Sequence, residues 1–454
     1  MQIWNSPRCC NSHKIKLIQK PLFFKNGKEY QAREVRRPAL SHTNSSAFGR
    51  KVIKNMRKNF LIKLLCLIWA GCFLGSLTSC NTSSNKTQRE TNSQNTAEHQ
   101  FKEKIEVKYA QNFQVEYYDN YKIVKLLKPF QDTDDAMRYV LVQRGTPAPK
   151  GFKTKEVIEI PIRKVITLSH THNAFIQQLG QINSVQGVSA PQYLTNEVLL
   201  TRHQKRELVV AGTGMELNNE AILAAQPDIV MASGMATNAY KKYRVLVNAR
   251  IPVVINSEWL EKTPLGRAEW VKFMAVFYNL EKEANVAFTK IEQAYQKLIK
   301  ITQKVTNKPK VMVGLPFKDT WYVPRGESFV GQYLRDAGGD YYWKDEKGVG
   351  SIPLDFEAVY GKALDANFWL VEGSPKTLQD IKGRDTRFGD FEAFKQKNVY
   401  NNNKQTTSQG VNIFFNNSVV HPDWVLADIV KILHPDLLPN HEFVYYQKLP
   451  SSQK

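Results

Sequence analysis

The sequence contains little cysteine, and none of it lies in the main body of the chain. Its 454 residues include five Cys: two lie near the N-terminus, two lie in an apolar run, and Cys80 lies three residues after the end of that run. No thiol pair remains beyond residue 80, which excludes a disulfide-stabilised scaffold and a cysteine nucleophile there. The body must therefore rest on a hydrophobic core, and 42% hydrophobic content over this length is enough for two or three domain-sized units.

Acidic residues are scarce near the N-terminus, and this accounts for most of the net charge of +21. Residues 1–55 contain twelve Lys and Arg against two Glu, and residues 56–79 add three basic residues and no acidic one. The rest of the chain has a net charge of only +8. The total charge therefore gives no indication of a nucleic-acid surface, and we expect no nucleic-acid partner.

The sequence has one long apolar run near its start, from Phe60 to Leu77, and it follows Met56-Arg-Lys-Asn. A positive segment followed by an apolar one is typical of a secretory signal peptide. A transmembrane helix is the alternative, but the run contains Lys63 and is barely long enough to span a bilayer. Leu77-Thr-Ser-Cys80 closes the run and resembles the lipobox of bacterial lipoproteins, in which the Cys is lipidated.

These features predict an exported lipoprotein with a signal peptide over 56–79 and lipidation at Cys80. It would be anchored to a membrane, on the periplasmic side or at the cell surface. Residues 1–55 show no folding pattern and precede a complete signal, so we expect them to be an over-extended leader.

Composition and periodicity divide the rest of the chain. Alternating apolar residues between Ile105 and Ile160 indicate strands, and short apolar strands alternating with helical stretches then indicate βα units. From Trp270 to Val305, apolar residues recur at spacings of three and four, which predicts a long amphipathic helix that is broken near Asn279. The predicted regions are a tether (80–100), a β-rich extension (101–162), an N-terminal α/β lobe (163–266), a connecting helical segment (267–305) and a C-terminal α/β lobe (306–445).

The predicted fold class is thus α/β, with two Rossmann-like lobes of mainly parallel sheets joined by a long interdomain helix, plus the extension. A faint repeat supports two lobes, because Leu-x-x-Glu-Ala-(Ile/Val) occurs once in each, around Glu220 and Glu357, before a strand. A carboxylate at a helix start is favoured by the helix dipole alone. The alternative, functional interpretation of the two glutamates is that one carboxylate from each lobe docks onto a basic pocket of a symmetric partner.

Candidate ligand contacts follow the first strand of each lobe, where open α/β sheets bind ligands. His170 and His172 could share a metal or line a cleft, and without a third ligand nearby we favour the cleft. In the second lobe, Trp321, Tyr322 and Arg325 would suit a bulky, flat or anionic ligand, although the aromatic residues could equally be core residues. Trp259 and His421 are further candidates.

No phosphate loop, nucleophile elbow or convincing catalytic triad occurs in the sequence. We therefore predict a protein that is not an enzyme, with no catalytic residues, no metal ligands and no cofactor.

Four stretches together resemble the solute-binding proteins of ABC importers for iron complexes and cobalamin. They are Lys164–Ser169, Asn219–Val230, Glu327–Asp340, and His421–Trp424 followed by Ile432–Asp436. The resemblance covers about residues 163–440. It implies two α/β lobes joined by a stiff helix, with a cleft between them that closes only modestly. It also implies that Glu220 and Glu357 form salt bridges with arginines of the permease.

The resulting expectation is a monomeric lipoprotein that captures an iron complex and delivers it to the transmembrane subunits of an ABC permease. A ferric siderophore is favoured, and haem or cobalamin are the alternatives. Rival functions are a zinc- or manganese-binding protein of the same plan, a surface metalloenzyme using His170 and His172, and an adhesin or structural lipoprotein. Clustered His and carboxylate ligands, which bare cations need, are scarce in this sequence.

Overall fold

The computed structural model describes residues 101–214 and 216–452, which belong to one compact unit with a continuous hydrophobic core. The predicted leader, signal peptide, tether and Cys80 lie outside the described residues. The predicted fold class is confirmed: two mainly parallel sheets with helices form the lobes, and a further sheet precedes them. Because the described residues form a continuous core within this unit, we expect a chain that starts after Cys80 to fold.

The extension forms a four-stranded sheet with strand order β1-β2-β3-β4. Its pairs are antiparallel except for β3 and β4, which run parallel. The strands are β1 (Phe113–Tyr117), β2 (Tyr121–Leu126), β3 (Met137–Gln143) and β4 (Val157–Ile160).

One strand prediction in the extension is wrong. The alternating segment Ile105–Tyr109 is not a strand in the structure. Its backbone N–H groups bind side chains instead of a neighbouring strand: Ile105 N donates to the Tyr117 hydroxyl (3.1 Å), and Tyr109 N donates to the Glu269 carboxylate (2.7 Å). Alternation of apolar and polar residues indicates an extended backbone with one buried face, and a strand and an isolated extended segment share that pattern. The pattern does not show whether the backbone pairs with a neighbouring strand or with side chains.

The first lobe is a five-stranded parallel sheet with the order β7-β6-β5-β8-β9 and helices between the strands. Its central strands are almost wholly buried, as expected for a parallel sheet covered on both faces. The strands are β5 (Val165–Thr167), β6 (Val185–Ser189), β7 (Val209–Gly212), β8 (Ile229–Ser233) and β9 (Val253–Asn256). The helices are α1 (His170–Gln178), α2 (Glu197–Gln204), α3 (Asn219–Ala225), α4 (Thr237–Tyr240) and α5 (Arg244–Asn248).

The extension covers the outer edge of the first lobe. Strand β9 is an edge strand, and Tyr139 of β3 binds it with its hydroxyl, which donates to Val253 O (3.3 Å) and accepts from Ile255 N (2.9 Å). An uncovered edge would expose unpaired backbone groups. The extension is therefore an integral part of this lobe.

The connecting segment consists of three helices: α6 (Pro264–Ala268), α7 (Trp270–Ala275) and α8 (Glu281–Thr302). The predicted break lies between α7 and α8, where Asn279 has a φ of 58°, in the left-handed region that Asn tolerates better than most residues. Its amide is fixed there, because Oδ1 accepts from Lys122 Nζ at 2.7 Å. Helix α8 has 22 residues, or about 33 Å at 1.5 Å per residue.

The second lobe repeats the plan with strand order β12-β10-β14-β15-β16, in which only β16 runs antiparallel. A separate hairpin pairs β11 with β13. The strands are β10 (Lys310–Val313), β11 (Trp321–Pro324), β12 (Asp340–Tyr341), β13 (Ser351–Leu354), β14 (Phe368–Val371), β15 (Val399–Asn401) and β16 (Gln447–Lys448). The helices are α9 (Phe329–Asp336), α10 (Phe356–Ala363), α11 (Leu378–Lys382), α12 (Glu392–Lys395), α13 (Phe414–Asn417) and α14 (Pro422–Leu433). The predicted end of this lobe at residue 445 is too early, because β16 completes the sheet.

The two lobes touch beside the connecting helices. Helix α8 packs against α7 and against α14 of the second lobe, and α13 packs against α1 of the first. Asn416 Nδ2 of α13 donates to Tyr193 O and to Thr195 Oγ1, both at 3.1 Å. The described arrangement is therefore one in which the lobes are in direct contact.

Candidate functional site

A cavity of about 410 Å³ lies at the carboxyl end of the second lobe's parallel sheet. We call it the second-lobe cavity. Strands β10, β14 and β15 all end at its wall, which is where open α/β sheets bind ligands. Its lining residues are Arg267, Val313, Gly314, Tyr322, Pro324, Phe329, Val330, Tyr333, Leu334, Ser351, Leu370, Glu372, Asn402, Phe414, Phe415, Ser418, Val425, Ile429 and Tyr446.

The indoles of Trp321 and Trp369 support the turn after β10, which forms part of the cavity wall. Gly314, which follows β10, has a φ of 77°, and a Cβ there would lie 3.3 Å from the Trp321 Nε1. Trp321 Nε1 donates to Val313 O (3.0 Å), and Trp369 Nε1 donates to Gly314 O (2.8 Å). The turn at the end of β10 is thus held in place by hydrogen bonds from the core.

The prediction that Trp321 contacts a ligand is therefore wrong. Its side chain is 0% exposed and packs among Trp369, Phe388 and Phe391. The neighbouring residue Tyr322 points the other way along the same strand, as the two-residue period of a strand requires. Tyr322 is 54% exposed and lines the cavity.

Arg325 is not brought to the cavity. Its Nη1 donates to Lys347 O at 2.9 Å and lies 3.9 Å from the Glu346 carboxylate. The guanidinium on the cavity wall belongs instead to Arg267 of α6, which sequence reasoning missed. It lies 4.2 Å above the ring of Phe329, a favourable cation–π distance.

Arg267 forms an incomplete ion pair with Glu258, which lies after β9. Arg267 Nη2 is 3.5 Å from Glu258 Oε1, and the side chains are 15% and 5% exposed. Arg267 Nε and Glu258 Oε2 are buried without a hydrogen-bond partner. A guanidinium and a carboxylate can form two parallel hydrogen bonds, so this pair leaves binding capacity unused beside the cavity.

His170 and His172 have different environments although they are two residues apart. His170 is the first residue of α1; its Nε2 lies 3.1 Å from Ala190 O, and it lines a cavity of about 10 Å³ that Asn417 of the second lobe also lines. His172 is 1% exposed and lines neither this small cavity nor the second-lobe cavity. Burial lowers the pKa of His172 to about 3. The prediction of a cleft-lining role for His172 is wrong, whereas His170 lies where the lobes meet.

Trp259 and His421 are the two remaining predicted contacts. Trp259 follows β9, and its Nε1 is buried without a partner. His421 precedes α14 and stacks on Trp424 with ring centroids 3.6 Å apart. Burial lowers the pKa of His421 to about 4. Neither residue lines the second-lobe cavity, so their roles as ligand contacts remain predictions.

Within residues 101–214 and 216–452, no group of three or more His, Cys, Asp or Glu side chains is arranged to hold a metal ion. In the same residues, no helix combines the length and the apolar character needed to cross a bilayer.

Glu220 and Glu357 occupy equivalent positions in the two lobes. Each is the second residue of a helix that begins at a side-chain cap and leads into a strand, α3 into β8 and α10 into β14. The caps are Asn218, which accepts from Ala221 N (3.0 Å), and Asp355, which accepts from Ala358 N. Both glutamates are exposed, and Glu357 Oε1 accepts a hydrogen bond from Arg387 Nη1 at 3.0 Å.

Comparison with known proteins agrees with this architecture. The model of the family described as periplasmic binding protein matches residues 167–406. An uncharacterized lipoprotein of Methanocaldococcus jannaschii is 26% identical over 419 residues, which cover 87% of this chain and 97% of the relative. A second uncharacterized lipoprotein of that organism is 24% identical over 422 residues, covering 87% of this chain and 100% of the relative.

Solved structures with a similar fold include a possible iron-binding (periplasmic solute-binding) protein from Staphylococcus epidermidis, at 16% identity and a TM-score of 0.47, covering 60% of this chain and 99% of that one. A periplasmic heme binding protein from Pseudomonas aeruginosa has 14% identity and a TM-score of 0.46, covering 61% of this chain and 94% of that one. The family model spans more than half of the sequence and both lobes. The chain therefore belongs to the periplasmic binding protein family.

Proposed function

We propose that this protein is the solute-binding lipoprotein of an ABC importer and that it captures an iron complex in the second-lobe cavity. A ferric siderophore is the favoured ligand, with haem or cobalamin as alternatives. The protein would bind the complex, hand it to a membrane permease and leave its covalent structure unchanged. The observation that carries the proposal is a cavity with aromatic walls and one guanidinium, at the end of a sheet where this architecture binds ligands.

The size and lining of the cavity support a compact organic complex. Its volume of about 410 Å³ falls within the usual range for small-molecule sites. Phe329, Phe415 and Tyr322 offer aromatic area for a flat or bulky apolar surface. Tyrosine, serine and asparagine side chains around them can fix the orientation of the ligand.

Arg267 favours a ligand with negative charge on its periphery. Its Nε has no partner, and its contact with Glu258 uses one hydrogen at 3.5 Å. A carboxylate or catecholate oxygen of the ligand could take up that unused donor and form a stronger, charge-assisted bond. Ferric siderophores and haem carry such groups, whereas a bare cation has no oxygen to accept a hydrogen bond from Arg267.

Delivery would use the two exposed glutamates. Glu220 and Glu357 start equivalent helices of the two lobes, so a pseudosymmetric permease with one basic pocket per half would meet one carboxylate from each lobe. Arg387 would have to release Glu357 for that contact, and the exposed pair that they form is weak enough to exchange. A lipid on Cys80 would keep the protein close to its permease.

The test is a titration of the intrinsic Trp fluorescence of a chain that starts after Cys80, with ferric siderophores, haem, cobalamin and free zinc. The decisive variants are Arg267→Gln and the matched control Arg325→Gln, which removes the same charge outside the cavity. We expect saturable quenching by an iron complex, weakened about ten-fold or more by Arg267→Gln and less than about two-fold by Arg325→Gln, because only the former loses a charge-assisted contact.

Two results would contradict this proposal. Saturation by zinc alone would favour the rival zinc- or manganese-binding protein of the same architecture. Iron-complex binding that depends on Arg325 and not on Arg267 would place the ligand outside the second-lobe cavity.

A further inference from the structure

A second and larger concavity lies away from the boundary between the lobes, where the extension meets the outer edge of the first lobe. We call it the extension groove. Its volume is about 870 Å³, and it is lined by residues of β2, β3 and β4, by the turn before β4, and by α4, α5 and the start of β9. No residue of the second lobe is among its lining. It is therefore separate from the proposed ligand site.

The floor of the extension groove is apolar and held rigidly. Tyr139 is fixed by its two hydrogen bonds to the backbone of β9. Tyr240 packs edge-on against Phe130 and Tyr243, with both pairs of ring centroids 5.7 Å apart. Val247 completes this floor. Because these aromatic and aliphatic side chains are already ordered, binding of an apolar ligand to them costs little side-chain entropy.

The rim of the groove is cationic. Lys125, Arg138, Lys155 and Arg250 lie around it, and Glu156 is the one carboxylate among its described lining residues. That carboxylate is engaged, because Glu156 Oε2 lies 3.3 Å from Arg138 Nη2. The rim therefore presents an excess of positive charge.

Two of these cations have no partner among the residues that the structure describes. Lys125 is paired with Glu116, and Arg138 with Glu156. The side chains of Lys155 and Arg250, in contrast, make no ion pair or hydrogen bond with any residue that the structure describes. Two free cations beside an apolar floor are complementary to a molecule with an apolar body and a negatively charged end.

We propose that the extension groove is a second binding site, specific for a small amphiphilic anion: an aromatic or acyl body with one carboxylate, sulfonate or phosphate group. The body lies on Tyr139, Tyr240 and Val247, and the anionic group lies between Lys155 and Arg250. The site is independent of the solute carried in the second-lobe cavity. One side of it is formed by the extension, which precedes the residues matched by the family model, and the other side by α4, α5 and β9 of the first lobe.

The experiment uses two fluorescent probes with related aromatic bodies. Anilinonaphthalene sulfonate carries one negative charge, and phenylnaphthylamine carries none. Each is titrated into the chain that starts after Cys80. The test variant is Lys155→Gln/Arg250→Gln, and the control is Lys395→Gln/Lys397→Gln, which removes the same charge from an exposed part of the second lobe.

We expect the sulfonate to bind the natural chain and the control variant equally and to bind the test variant about ten-fold more weakly. Loss of two partly exposed ion pairs corresponds to about that factor. Binding of the uncharged probe should be the same in all three proteins. Increasing salt should weaken sulfonate binding to the natural chain and have little effect on the test variant, because screening acts on the same two charges.

Three results would overturn the proposal. The first is equal sulfonate binding by the test and control variants. The second is loss of sulfonate binding in Tyr322→Ala, which would assign the probe to the second-lobe cavity. The third is displacement of the probe by phosphatidylglycerol vesicles but not by soluble decanoate, which would make the groove a membrane-contact surface. Thermal unfolding of each variant confirms that it is folded.

Discussion

Replacing Glu269 with Gln should detach the start of the extension from the helices that connect the lobes. The carboxylate is 0% exposed and accepts hydrogen bonds from three consecutive backbone N–H groups, those of Lys108 (3.0 Å), Tyr109 (2.7 Å) and Ala110 (2.9 Å). Lys272 Nζ, also buried, donates to it at 2.8 Å. One charged group thus satisfies four donors at a buried position.

The expected cost of Glu269→Gln follows from these contacts. The amide keeps one acceptor oxygen and introduces an NH₂ group, which faces donors and leaves at least one N–H without a partner. Hydrogen bonds to charged groups are worth about 1.5–3 kcal/mol each, and a buried ammonium that loses its carboxylate is costly as well. We therefore expect the free energy of unfolding to fall by about 3–5 kcal/mol.

The assay is equilibrium denaturation in guanidinium chloride, combined with amide hydrogen exchange of residues 101–112. Exchange in that segment should accelerate more than exchange in β5 and β8, because the lost bonds lie in the segment itself. Glu283→Gln is the matched control: it makes the same chemical change at an exposed position of α8 and should cost less than about 0.5 kcal/mol. A loss below about 1 kcal/mol for Glu269→Gln, with unchanged exchange, would refute the reasoning.

Three other predictions follow from buried or exposed charges. Burial lowers the pKa of His172 to about 3, so between about pH 6.5 and pH 4 the unfolded chain binds a proton that the folded chain does not. The free energy of unfolding should therefore fall as the pH drops through that range. In denaturation experiments, its dependence on pH should be flatter for His172→Gln. Lys122→Met leaves the buried carboxylate of Glu281 without its cation and should cost about 3–5 kcal/mol, whereas Lys122→Met/Glu281→Leu should recover much of that loss in the same denaturation assay. Glu220→Gln should reduce uptake of the iron complex by cells that contain the permease. The dissociation constant of the complex for the binding protein, measured by fluorescence, should change less than about two-fold. A loss of binding as large as the loss of uptake would contradict a docking role.

The sequence predicted the lobes well because each βα unit is a local pattern. Apolar runs such as Val165–Thr167 and Phe368–Val371 become strands that are buried on both faces, and no distant residue is needed to recognise them. The repeat around Glu220 and Glu357 was recognisable for the same reason, since a cap, a first-turn carboxylate and a following strand lie within about a dozen residues. The break before α8 was also a local signal.

The ligand site was harder to predict, because two residues on one strand can face opposite ways. Trp321 and Tyr322 looked alike in sequence, yet one is in the core and the other lines the cavity. Arg325 follows them in sequence but binds Lys347 O. Arg267 lies some fifty residues earlier, and nothing in its surrounding sequence indicates that α6 brings it to the second lobe.

What the sequence determined by itself is therefore the type and order of the elements, the duplication of the lobe and the two equivalent glutamates, because these depend on periodicity and capping over a few residues. The tertiary structure alone decided which side chains meet. Glu269 accepts hydrogen bonds from backbone N–H groups 159–161 positions away. Because of this long-range contact, Ile105–Tyr109 is an extended segment bound to side chains and not a strand of a sheet. Both concavities arise in the same way, from residues that are distant along the chain and adjacent only after the lobes and the extension have packed.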